Sequence, residues 1–92
     1  MKLTVEQLQL LEKLGSNFFS ISEAAIVLEV SEMDLKKQIK DATSDAYKRY
    51  FKGYFASELE LREAIRKMAS RGSNPAQKMM MDIKQASQVS NL

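Results

Sequence analysis

Apolar residues recur along most of this chain at steps of three and four, the spacing that gathers them on one face of an α-helix. Val5, Leu8, Leu11 and Leu14 form the first such stripe. Thr4 followed by Gln7 precedes it as a capping-box pair, whose hydroxyl and amide satisfy two orphan backbone donors reciprocally. Gly15 stands at its end, where glycine takes a left-handed conformation at little cost. Ser20 with Glu23 repeats the capping signal and opens a short helix from Ile21 to Leu28. Ser31 with Asp34 gives it a third time, for a helix running to about Asp41. Only Glu29 and Val30 separate the second helix from the cap of the third, which is the spacing of a tight helix–turn–helix.

The next stripe is longer. Tyr47, Phe51, Tyr54, Leu61, Ile65 and Met68 fall at helical steps from Ser44 to Ser70, with one gap at Glu58, and Tyr50, Phe55 and Leu59 widen it. Arg71-Gly72 stops this helix, and Asn74-Pro75 restarts one, with asparagine as cap and proline at the first helical position. Met79, Met80, Ile83 and Ala86, with Val89 or Ser90, form the apolar side of the last helix. A helix of about 27 residues is roughly 40 Å long, more than residues 1–42 can cover. Gly53 inside it either permits close helix approach or marks a kink where the front domain ends. The expected fold is therefore all-α. Residues 1–42 form a helix–turn–helix domain around Leu8, Leu11, Ala25, Leu28, Leu35 and Ile39. Residues 43–92 form an antiparallel helical hairpin. Each hairpin helix can bury only one side within the chain, so Tyr54, Leu61, Ile65, Met68, Met79, Met80 and Ile83 are expected to meet another copy.

Composition narrows the chemistry. The chain has neither cysteine nor histidine, which removes disulfides, thiolate metal sites, the usual general base and the commonest nitrogen ligand. No catalytic residue, metal site or cofactor is expected, and Glu58, Glu60 and Glu63 are read as helical-spacing partners of Arg62 and Lys67. No glycine loop can cradle phosphates, so any nucleotide hydrolysis would belong to a partner. No apolar run approaches the roughly 18 residues of a membrane span. The start carries Glu6 where a signal peptide would need an apolar core, so a soluble intracellular protein is expected.

The net charge of +2 is unevenly spread. Acids outnumber bases up to residue 35, whereas residues 36–52 hold Lys36, Lys37, Lys40, Lys48, Arg49 and Lys52 against only Asp41 and Asp45. Such a segment is the footprint of a polyanion contact; a solvated helix face is the plain alternative. The two short helices also match the DNA-reading pattern by position. Ala25 is the small residue at the helix crossing, Val30 the turn aliphatic, Ser31 the second cap, and Leu28, Leu35 and Ile39 point inward. Glu29 departs from it, because glycine usually occupies this left-handed position, and a different turn geometry is expected. With the second helix in the major groove, Ser31, Glu32, Met33 and Lys36 meet base edges. Lys37 and Lys40 meet phosphates, supported by Lys48 and Lys52. Glu32 and Asp34 would repel phosphate, unless they serve the helix N-terminus or Glu32 accepts from cytosine N4. The aromatic cluster Tyr47, Tyr50, Phe51, Tyr54 and Phe55 suits a core better than base stacking, and Met79-Met80-Met81 suits an adaptable interface.

The stretches Ser22-Glu23-Ala24-Ala25-Ile26-Val27-Leu28-Glu29-Val30-Ser31 and Ala46-Tyr47-Lys48-Arg49-Tyr50-Phe51-Lys52-Gly53 together resemble the front half of phage terminase small subunits. Glu58-Leu59-Glu60-Leu61-Arg62-Glu63-Ala64-Ile65 and Ala69-Ser70-Arg71-Gly72-Ser73-Asn74-Pro75-Ala76-Gln77 continue the resemblance, which covers roughly residues 20–85. It implies a non-enzymatic viral DNA-packaging protein of the host cytoplasm. Such a protein binds double-stranded packaging-site DNA, assembles into a homo-oligomeric ring and presents the DNA to a terminase large subunit holding the ATPase and nuclease. Many members continue into a β-rich segment that contacts the large subunit, whereas this sequence ends at Leu92. Two other readings use the same residues: a dimeric phage or prophage helix–turn–helix transcriptional regulator, and a helical scaffold that binds only protein.

Overall fold

The structure, a computed structural model, describes residues 2–90, the side chains of 88–90 apart. It is all-α. Five helices and no strand occur among the described residues: α1 (Val5–Ser16), α2 (Ile21–Leu28), α3 (Glu32–Lys40), α4 (Asp45–Ser70) and α5 (Asn74–Ser90). None is long and apolar enough to cross a membrane.

The helix starts are local chemistry. Thr4 and Gln7 form the full capping box on α1, as do Ser20 and Glu23 on α2. The Ser20 backbone and hydroxyl hold the Glu23 carboxyl below its ordinary range. Ser31 Oγ accepts from the Asp34 N–H at 3.3 Å, and Ser44 Oγ accepts from the Tyr47 N–H at 3.0 Å. At α5 the cap differs from expectation. Ser73 rather than Asn74 fills it, its carbonyl accepting the Gln77 N–H and its Oγ the Ala76 N–H. Pro75 becomes the second helical residue, still within the turn whose N–H groups have no intrahelical partner.

Three helix ends share one hydrogen-bond pattern, the paired 6→1 and 5→2 bonds of a Schellman motif. At α1, Phe19 N–H reaches Leu14 O and Phe18 N–H reaches Gly15 O; at α2, Val30 N–H reaches Ala25 O and Glu29 N–H reaches Ile26 O. At α4, Ser73 N–H reaches Met68 O and Gly72 N–H reaches Ala69 O. The left-handed residues at these three ends are Phe18, Glu29 and Gly72. Gly15 is therefore not the left-handed terminator that its position suggested.

The chain divides into two compact units, one ending at Glu58 and one beginning at Leu59. The first reaches well past residue 42, because the front of α4 belongs to its core. Leu3, Leu11, Leu14, Ala24, Ala25, Leu28, Leu35, Ile39, Ala46 and Tyr50 are buried together, with Leu8, Ile21, Val30, Phe51 and Tyr54 packed around them. Val5, expected on the apolar face of α1, is 62% exposed. Gly15 and Gly53 explain how α4 fits. A Cβ on Gly53 would overlap the Glu12 carbonyl oxygen, and one on Gly15 would overlap that of Tyr50. The two backbones touch at this crossing, which leaves no room for a side chain. Gly53 thus serves close approach, and α4 runs through it unbroken. Tyr50 Oη donates to Phe19 O at 2.7 Å, and Ser57 Oγ donates to Ser16 O, pinning α4 to the end of α1. Burial raises the Tyr50 phenol pKa above its ordinary value.

In the second unit, Gln77 Nε2 donates to Ala69 O at 3.1 Å, and Ala76 is 3% exposed. Ile65, Met80 and Ile83 are half-buried. Val89 and Ser90, expected on the apolar side of α5, lie outside the described side chains.

Candidate nucleic-acid interface

α3 is two-faced by its own sequence. Leu35 and Ile39, four apart, are buried against α2, and the Leu28 side chain closes the same core from the other helix. Gln38 is half-buried beside them, and the remaining positions are exposed. Glu32, Met33, Lys36, Lys37 and Lys40 line one shallow open depression, and Ser31 lies exposed at its start as the helix cap. The structure thus places five of the six residues expected here in one depression, with Ser31 exposed at the helix N-terminus.

The connection that orients α3 is the α2 end. Glu29 takes φ 57° and ψ 44°, the left-handed conformation expected of a glycine there. The anticipated change of turn geometry does not occur: glutamate adopts the strained conformation and the turn is kept. Val30 follows, half-buried against the core, and Ser31 then caps α3. Gln7 Nε2 from the start of α1 donates to Leu28 O at 3.4 Å, bracing the same corner.

The electrostatics of the face are uneven. Lys36 Nζ lies 3.9 Å from Glu32 Oε1, a half-exposed i,i+4 pair of the kind worth only a few tenths of a kcal/mol. Lys37 and Lys40 carry no ion pair among the described residues and present their full charge to solvent. Asp41, at the end of α3, is engaged locally: its carboxylate accepts from the Thr43 N–H and hydroxyl, bonds that lower its pKa.

The bases of α4 divide differently from expectation. Lys52 Nζ lies 3.9 Å and Arg49 Nη1 3.2 Å from the same oxygen, Glu12 Oε1 of α1. Lys52 lines a separate depression with Gln9, Glu12, Lys13, Ser16, Gly53 and Ala56, not the one on α3. Part of the basic segment therefore holds α4 to α1. Its sequence signal was available in Glu12, but nothing local shows that residues 12 and 49 meet. Lys48 is exposed and forms no ion pair among the described residues.

Of the expected interface residues, Tyr54 packs inside the first unit, edge-on to Phe18 with ring centroids 5.0 Å apart and beside Tyr50. Leu61, Met68 and Met79 are exposed in the second unit. Residues the sequence reading passed over are Ile26 and Val27, both exposed on α2; their offset from the buried Ala24, Ala25 and Leu28 was the available signal. No group of three or more histidine, cysteine or carboxylate residues is placed to hold a metal among the described residues.

Comparison of the chain with family models, with curated proteins and with solved structures finds no match.

Proposed function

We propose that this protein binds double-stranded DNA through α3 and assembles with itself through its second unit, acting as a packaging protein of the terminase small-subunit type. The observation that carries the reading is the α2–α3 corner. It combines a left-handed turn residue, a turn aliphatic against the core and a serine cap with a recognition-length helix whose outer face carries Lys36, Lys37 and Lys40 in one depression with Glu32 and Met33. Helix–turn–helix proteins place the N-terminal residues of such a helix against base edges in the major groove. Lys37 and Lys40 contact phosphate, and Lys48 adds to them. Lys52, shared with Glu12, contributes less than its charge suggests. In this proposal the homo-oligomeric ring works in the host cytoplasm and hands the bound DNA to a large subunit that supplies ATP hydrolysis and cleavage.

One copy offers few phosphate contacts and binds weakly at physiological salt, whereas linked copies multiply those contacts through effective concentration. The test is a salt titration of binding to packaging-site and random duplexes. Affinity is expected to fall steeply with salt, and Lys37→Glu to weaken binding to every duplex alike. Absence of binding to either duplex at about 50 mM salt overturns the proposal in favour of a scaffold that binds only protein.

A further inference from the structure

The α3 face holds one residue that charge does not explain. Met33 is 69% exposed, although the other apolar residues of α3, Leu35 and Ile39, are buried. It precedes Lys36 and Lys37 by three and four residues, so it shares their face, and it lines the same depression. An unbranched thioether there cannot contribute to the core, and it has no strong hydrogen-bonding group with which to read a base edge. What it offers is a flexible apolar surface beside the amines of Lys36, Lys37 and Lys40, which suit phosphate, with the Glu32 carboxylate in the same depression and 3.9 Å from Lys36 Nζ. In the major groove the four bases present donors and acceptors, with one apolar group among them, the C5 methyl of thymine.

Building on the DNA-binding reading, we propose that Met33 packs on a thymine C5 methyl group, so that the duplex preferred by this face carries a T·A pair beneath the first turn of α3. The charge complementarity of Lys36, Lys37 and Lys40 to phosphate points to nucleic acid as the occupant of the face, and the apolar Met33, one turn before them in the same depression, points to the base. Lys36, held near Glu32, sits one turn further along the helix.

The experiment selects the tightest-binding duplex from a randomised pool with the full chain, then replaces its thymines by uracil one position at a time. Uracil keeps every hydrogen-bonding group of thymine and lacks only the methyl. Affinity is expected to fall about fourfold at one position, the equivalent of one buried methyl-sized group, and to be unchanged at the others. Met33→Ala, at an exposed site, is expected to keep the helical circular dichroism and to bind the thymine and uracil duplexes alike. Equal binding of thymine and uracil duplexes by the unmodified chain overturns the inference. So does a thymine preference that survives Met33→Ala. If Lys37→Glu still weakens binding in either case, the DNA-binding reading stands without it. If no duplex is bound at all, the underlying reading has failed and the inference falls with it.

Discussion

Glu29 and Phe18 are side-chain-bearing residues that end helices in a conformation usually left to glycine. For an L-residue this costs about 1–2 kcal/mol, because Cβ crowds the following carbonyl. The two positions tolerate it for different reasons. Phe18 recovers ring packing against Tyr54. Glu29 is exposed, and its conformation is held by the backbone bonds of the α2 end rather than by its carboxylate. Glu29→Gly is therefore expected to stabilise the protein by about 0.5–1 kcal/mol, since relief of strain exceeds the added freedom of the unfolded chain. Thermal unfolding followed by circular dichroism should show a midpoint about 2–6 °C higher. A lower midpoint would mean that the glutamate side chain stabilises the turn by more than its backbone strains it.

Between elements, the decisive contact is the crossing of α1 and α4. Glycine in a helix interior ordinarily costs about 1 kcal/mol relative to alanine, so Gly53→Ala viewed on α4 alone should stabilise. At the crossing the sign reverses. The new Cβ would overlap Glu12 O and sit 2.9 Å from Ser16 N, both backbone atoms that cannot swing aside. A net loss of about 1–3 kcal/mol is expected, the cost of overpacking a close-packed contact. Urea unfolding checks it: an unchanged or raised midpoint would show that the helices can separate freely. The Arg49–Glu12 and Lys52–Glu12 pairs lie beside this crossing and add orientation more than stability, since they are partly exposed.

At the scale of the molecule, the two units differ in what they bury. The first encloses a connected core, whereas from Leu59 through residue 87 only Ala76 is buried among the described side chains. Leu59, Leu61, Met68, Met79 and Met81 all stand in solvent there. Helices owe most of their stability to packing of an apolar face, so this surface is the basis of the proposed self-assembly. Light scattering at tens of micromolar should find a closed oligomer, and Ile65→Asp should dissociate it, because an unpaired buried charge costs several kcal/mol. A monomeric unmodified chain would remove the assembly from the proposal.

Much of this protein was determined by its sequence alone, and the reason is range. A capping box spans three residues, so Thr4–Gln7 and Ser20–Glu23 declare their helices wherever the rest of the chain goes. The three-to-four periodicity likewise exposes which side of α3 is apolar, and with it the cluster of Met33 and three lysines on the other side. Contacts distant in sequence were decided only in three dimensions. Gly15 looks like a helix terminator until α4 is laid across it. Val5 continues an apolar stripe, yet it stands exposed while Leu3 before it and Leu11 after it enter the core. Lys52 counts as free positive charge until Glu12 arrives from α1. Residue 42 looks like a boundary because a loop follows it, yet Ala46 and Tyr50 beyond the loop complete the front core. Periodicity tells which face of a helix must be covered; which element covers it depends on packing between segments that the local pattern does not connect.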